Sequence, residues 1–146
     1  MIKNNQGKIF QMGILAGIVL FVLGSIEGWL SSGLYLIADP AIWTKMTGHW
    51  WLQALIADLV IGLIFTLVYG IFYQAIPDKG VGKGIQYGFW IWLVGTVPGL
   101  VMTFLTMAVP TELVVTWLIT GLLNYLVIGI LLGLMYRPKE ISGQIH

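Results

Sequence analysis

The chain has no cysteine, which excludes disulfides, thiolate metal sites and cysteine nucleophiles, and leaves its redox compartment open. It also has little charge. Asp, Glu, Lys and Arg make up 9% of 146 residues, against 58% hydrophobic, where a soluble domain carries roughly a quarter charged residues. At a mean hydropathy of +0.92, a soluble chain of this size would have no polar surface with which to cover its core. The composition means an integral membrane protein, in one domain at this length. A net charge of +1 from scattered basic residues carries no nucleic-acid footprint. Histidine is scarce too, with only His49 and the terminal His146. A b-type haem needs an axial ligand buried in the bundle, and His49 falls at an interface. Met102 and Met107 have no histidine beside them to suggest copper. No His/carboxylate spacing matches zinc, and no Ser-His-Asp set can be assembled. No cofactor, metal or catalytic residue is expected, and an enzyme ranks third among the functional classes.

What is present is a series of apolar runs, each long enough to cross a bilayer, which takes about twenty residues. They read as an all-α bundle of four transmembrane helices over about 9–30, 50–76, 83–107 and 110–136. The first run is longer than a signal-peptide core and lacks a small-x-small cleavage site after it, so it reads as a retained helix. In the connection after it, Asp39-Pro40 looks like a helix start, with Asp39 capping and Pro40 in first position. A short interfacial helix over about 40–46 is expected there, with Trp43 at headgroup level. Pro77-Asp78-Lys79-Gly80 is a turn. Pro98 should kink the third helix by removing a backbone hydrogen bond, with threonines or packed helices serving the freed carbonyl. Pro110 opens the fourth helix, with Glu112 in its first turn.

Lys3, Lys8, Lys79, Lys83, Arg137 and Lys139 fall on one side of this arrangement and Lys45 on the other. The positive-inside rule then puts both termini in the cytoplasm, as in a multi-pass protein of a prokaryotic inner membrane. Trp29, Trp43, Trp50, Trp51 and Trp117 form a belt at the opposite interface. The two halves resemble each other. Gly7, Lys8, Gln11 and Gly13 match Gly82, Lys83, Gln86 and Gly88, while Trp50, Gly62 and Tyr69 match Trp117, Gly129 and Tyr136. The pattern suggests a duplicated two-helix hairpin with both copies in the same topology. The stretch Lys79–Gly84 lacks the strand and the GK[ST] ending of a phosphate cradle. It reads as a flexible turn whose lysines meet anionic headgroups.

Within the spans, Glu27, Asp58 and Asn124 are the polar groups that matter, because ionisable residues are costly in a membrane. At about 100° per residue, Glu27 shares a face with Gly13, Gly17, Gly24 and Gly28. Asp58 shares one with Trp51, Gly62, Phe65 and Tyr69, and Asn124 shares one with Trp117, Thr120 and Gly121. The expected site is a cluster of Glu27, Asp58, Asn124 and Thr120, joined by Tyr69, in the outer half of the bundle. It would suit a proton, a cation or a small polar solute. Alternatively Glu27 is solvated at the interface and Asp58 is neutral and bonded within the protein. The pairs Gly13/Gly17, Gly24/Gly28, Gly95/Gly99 and Gly129/Gly133 are small-x3-small packing devices. Gly129 and Gly133 point away from Asn124, so that strip is expected to face lipid or a partner. Besides the lipid bilayer, the expected partners are other membrane subunits or further copies of the chain. Two functions remain: a structural or accessory subunit of a larger membrane complex, or a small oligomeric transporter or channel built on the polar cluster.

Overall fold

A bilayer offers no water to backbone N–H and C=O groups, so an apolar run must satisfy them within itself, as a helix does. The computed structural model describes residues 6–43 and 48–136, and every regular element among them is helical. These are α1 (Gln6–Leu30), α2 (Ser32–Tyr35), α3 (Trp50–Phe72), α4 (Gly80–Ile91), α5 (Val97–Thr106) and α6 (Thr111–Met135). A π turn, Trp92–Thr96, joins α4 to α5 in one span. The four spans, Gln6–Leu30, Trp50–Phe72, Gly80–Thr106 and Thr111–Met135, are long and apolar enough to cross a membrane. The protein is a multi-pass helical membrane protein.

Several boundaries differ from those the sequence pattern predicts. The stretch Gly80–Gly84 is the start of α4 and not a loose turn. Asp78 takes a left-handed backbone (φ 78°), a region that Asp tolerates better than most residues. Its carboxylate accepts from the Lys79 N–H at 2.7 Å and lies against Gly82 at the helix start. Lys83 is consequently buried and does not face headgroups. Its ammonium donates to the Tyr73 carbonyl at 2.5 Å and sits 4.2 Å above the Tyr73 ring. α3 stops at Phe72, where a turn takes over through bonds from Ala75 and Ile76 to the Phe72 carbonyl. The expected 40–46 helix is a short 3-10 turn, Pro40–Ile42, with Asp39 accepting from the Ala41 N–H at 2.8 Å. Its remainder, 44–47, lies outside the described residues, as do 1–5 and 137–146. At Pro98 the helix answers the missing N–H by widening: Val97 bonds five residues back to the Trp92 carbonyl, a π-bulge. Thr103 and Thr106 donate to their own helix at the Gly99 and Met102 carbonyls.

Two hairpins are closed by backbone-to-backbone approach. In the first, Gly62 of α3 sits between Gly13 and Gly17 of α1; a Cβ there would lie 2.5 Å from the Gly13 carbonyl oxygen and 2.7 Å from the Gly17 Cα. In the second, Gly129 of α6 sits between Gly84 and Gly88 of α4, and Gly133 lies on Gly80 and Val81. Gly129 and Gly133 are therefore buried against α4. The expectation of an open face there is overturned: Gly129 closes on Gly84 and Gly88, and Gly133 on the extra first turn of α4 at Gly80 and Val81. The hairpins share their aromatic and aliphatic core at the proximal end of the bundle, which carries the start of α1. Met12, Ala16, Phe65, Tyr69, Tyr87, Ile128 and Leu132 form the core there. The Tyr87 hydroxyl donates to the Phe65 carbonyl at 2.6 Å, and Phe65 stacks on Tyr125. At the distal end packing thins out, and α5 buries no residue.

Candidate functional site

Glu27 lies one turn from the distal end of α1, half-buried and facing α6. Thr120 and Asn124 are four residues apart on α6, hence stacked on one face. Both reach Glu27. The Thr120 hydroxyl donates to Oε1, and the Asn124 amide donates to Oε2 at 3.3 Å. The Thr120 hydroxyl is also 2.9 Å from the Thr116 carbonyl, so one hydrogen serves two acceptors. Polar groups within a span are costly unless they are paired, and the two donors pair this carboxyl. The clasp joins the two hairpins across α1 and α6.

An aromatic lid lies on its distal side. Trp117, one turn before Thr120, donates through Nε1 to the Tyr35 hydroxyl at 2.9 Å. Trp43 completes the group, 5.3 Å from the Tyr35 ring and 6.4 Å from Trp117 between centroids. The Trp43 Nε1 is buried without a partner among the described residues. Short α2 brings Tyr35 back over α6, an element that periodicity did not reveal.

Glu27, Thr120 and Asn124 are thus brought together, whereas Asp58 and Tyr69 are not part of the group. The antiparallel register sets Asp58 beside Gly17, where a Cβ would meet the Asp58 carbonyl oxygen at 2.7 Å. Gly17 is ten residues from Glu27 along α1, about 15 Å at roughly 1.5 Å per residue. The Asp58 side chain is half-exposed and has no hydrogen-bond partner among the described residues. Tyr69 belongs to the proximal core, fully buried among Tyr73, Tyr87 and Tyr136. The hydroxyls of Tyr69 and of the equally buried Thr66 have no partner among the described residues. This aromatic core with Lys83 was missed from the sequence, although Tyr69, Tyr87 and Tyr125 fall in the proximal halves of their spans and Tyr73 and Tyr136 directly follow the proximal ends of theirs.

The glycine pairs divide. Gly13, Gly17, Gly129 and Gly133 touch backbone of the facing helix, while Gly24, Gly28, Gly95 and Gly99 have open space where a Cβ would be. Among the described residues no three His, Asp or Glu side chains converge as metal ligands would. Together the fold and the clasp define a multi-pass helical membrane protein with an intramembrane carboxylate held between two hairpins. Comparison with protein-family models, curated proteins and solved structures finds no match for this chain.

Proposed function

We propose that the protein is a non-enzymatic accessory subunit of a larger membrane complex. The observation that carries this reading is the distal half of the third span: the π turn Trp92–Thr96 and α5 bury no residue of their own, and Gly95 and Gly99 have open space where a Cβ would be. Small residues of this kind let a further helix approach closely. The Glu27 clasp is then a structural device that ties the hairpins together. Both termini are cytoplasmic in this reading, and the membrane is a prokaryotic inner membrane; the support is the bias of Lys8, Lys79 and Lys83 to the proximal end. A duplicated hairpin is supported by the shared closure, one glycine of α3 or α6 seated between two glycines of α1 or α4 respectively. Packing equates Gly13 with Gly84, one helical turn from the Gly13–Gly88 sequence match, which is the displacement expected if the copies slid by a turn as they diverged.

The second reading, a small oligomeric transporter or channel, is favoured by Asp58, a carboxylate with no hydrogen-bond partner among the described residues. Mild-detergent purification of the tagged protein from its native host, followed by native mass spectrometry, separates the two. Stoichiometric foreign subunits are expected. A clean homo-oligomer sinks the accessory reading and calls for proton or cation flux measurements on Asp58→Asn in liposomes.

A further inference from the structure

The strap of residues 31–43 lies over the distal side of the clasp without being packed down along its length. Its short helix α2 buries no residue, and of the whole strap only Ser31 and Ala38 are buried. Among the described residues one hydrogen bond ties it to α6, from the Trp117 Nε1 to the Tyr35 hydroxyl at 2.9 Å. Ring contacts among Tyr35, Trp43 and Trp117, tilted or edge-on, complete the attachment. Beneath it the distal end is nonetheless closed. Ser31, one turn distal to Glu27, is 7% exposed, and Leu113, one turn distal to Trp117, is fully buried. Glu27 lies one turn from the end of its helix and is still half-buried. Its neighbours Gly24 and Gly28 have open space beside them, and within a span an open flank meets lipid, which carries neither water nor ions. The aqueous route to the carboxyl therefore passes the strap.

We propose that the strap is a hinged lid, latched by Tyr35 on Trp117, whose opening admits water and small ions from the distal side to Glu27. Segments with few buried apolar contacts open at low free energy, and the strap is such a segment. The closed lid also holds a buried donor, the Trp43 Nε1, without a partner among the described residues. A donor shut away from water without an acceptor is costly. Lifting the strap returns that N–H to water, which narrows the gap between the closed and open arrangements. Aromatic rings stacked across an entrance keep water out while they stay together, as apolar constrictions do in gated pores. The lid goes beyond the accessory reading and does not rest on it: it makes the clasp between the hairpins switchable in a subunit and a transporter alike.

The chain has no cysteine, so a single introduced thiol reports alone. Ser31→Cys places one beneath the strap and Thr120→Cys one beside Glu27. Leu36→Cys, at a strap position 87% exposed, gives the unhindered rate, and Thr66→Cys, at a fully buried position in the proximal core, reports general loosening. Each variant, purified in lipid nanodiscs, is reacted with a cationic, membrane-impermeant methanethiosulfonate and followed by intact mass. Ser31→Cys and Thr120→Cys are expected to react more slowly than Leu36→Cys. In a Tyr35→Phe background, which keeps the ring and removes the latch hydroxyl, both rates should rise about fivefold, the equilibrium effect of one net hydrogen bond. Leu36→Cys and Thr66→Cys should not change. The proposal is overturned if Ser31→Cys and Thr120→Cys already match Leu36→Cys, or if their rates ignore Tyr35→Phe. A rise at Ser31→Cys alone overturns it too, since the strap would then move without opening onto Glu27, and so does an equal rise at Thr66→Cys. Co-purifying subunits decide the accessory reading and leave these outcomes untouched.

Discussion

Gly62→Ala is the sharpest test of the packing. The added methyl would meet the Gly13 carbonyl oxygen at 2.5 Å and the Gly17 Cα at 2.7 Å, where ordinary contact begins at 3.4 Å. Both obstacles are backbone, so no side chain can swing aside, and α1 and α3 must separate by about 1 Å. A gap of that size forfeits roughly half of each dispersion contact along the seam. Overpacking of this kind costs about 3 kcal/mol at the upper end of its usual range, and the better helix propensity of Ala offsets about 1 kcal/mol. The net loss is about 2 kcal/mol. Gly24→Ala is the control: the same substitution in the same pair of helices, with open space at the Cβ position, gains up to about 1 kcal/mol from propensity alone. SDS titration of the purified protein in mixed micelles, followed by tryptophan fluorescence, measures both. Equal stability changes in the two variants would falsify the assignment of closed and open glycine pairs.

A double-mutant cycle on Glu27→Ala and Asn124→Ala should give a coupling of about 0.6 to 1.7 kcal/mol in the same titration, the range of interhelical hydrogen bonds in membranes; coupling indistinguishable from zero would mean that α1 and α6 are held by something other than the clasp. Tyr69→Phe and Thr66→Val each remove a fully buried hydroxyl that has no partner among the described residues. Each should raise stability by about 1 kcal/mol, and a loss instead would reveal a bound water or other acceptor in the proximal core.

Helix number and kind were legible in the residues because they depend on local quantities, namely run length, hydropathy and the punctuation at Asp39-Pro40 and Pro77–Gly80. Azimuth was legible too: the face shared by Asp58, Gly62, Phe65 and Tyr69 is the face that α3 buries in the proximal half. The start of α4 was not, since Gly80–Gly84 has the composition of a loop, yet it is helical and lies against Gly129 and Gly133 of α6.

The sequence by itself determined that this is a membrane protein of four spans, and which side of each helix carries its polar and small residues. Periodicity encodes rotation about an axis and nothing else. Only the tertiary structure decided how far each helix slides along its neighbour. That slide puts Glu27 level with Thr120 and Asn124, leaves Asp58 about 15 Å away beside Gly17, and closes Gly129 on Gly84 while Gly24 and Gly95 stay open. It is set by backbone contact between glycines more than forty residues apart, and no window along the chain spans that distance.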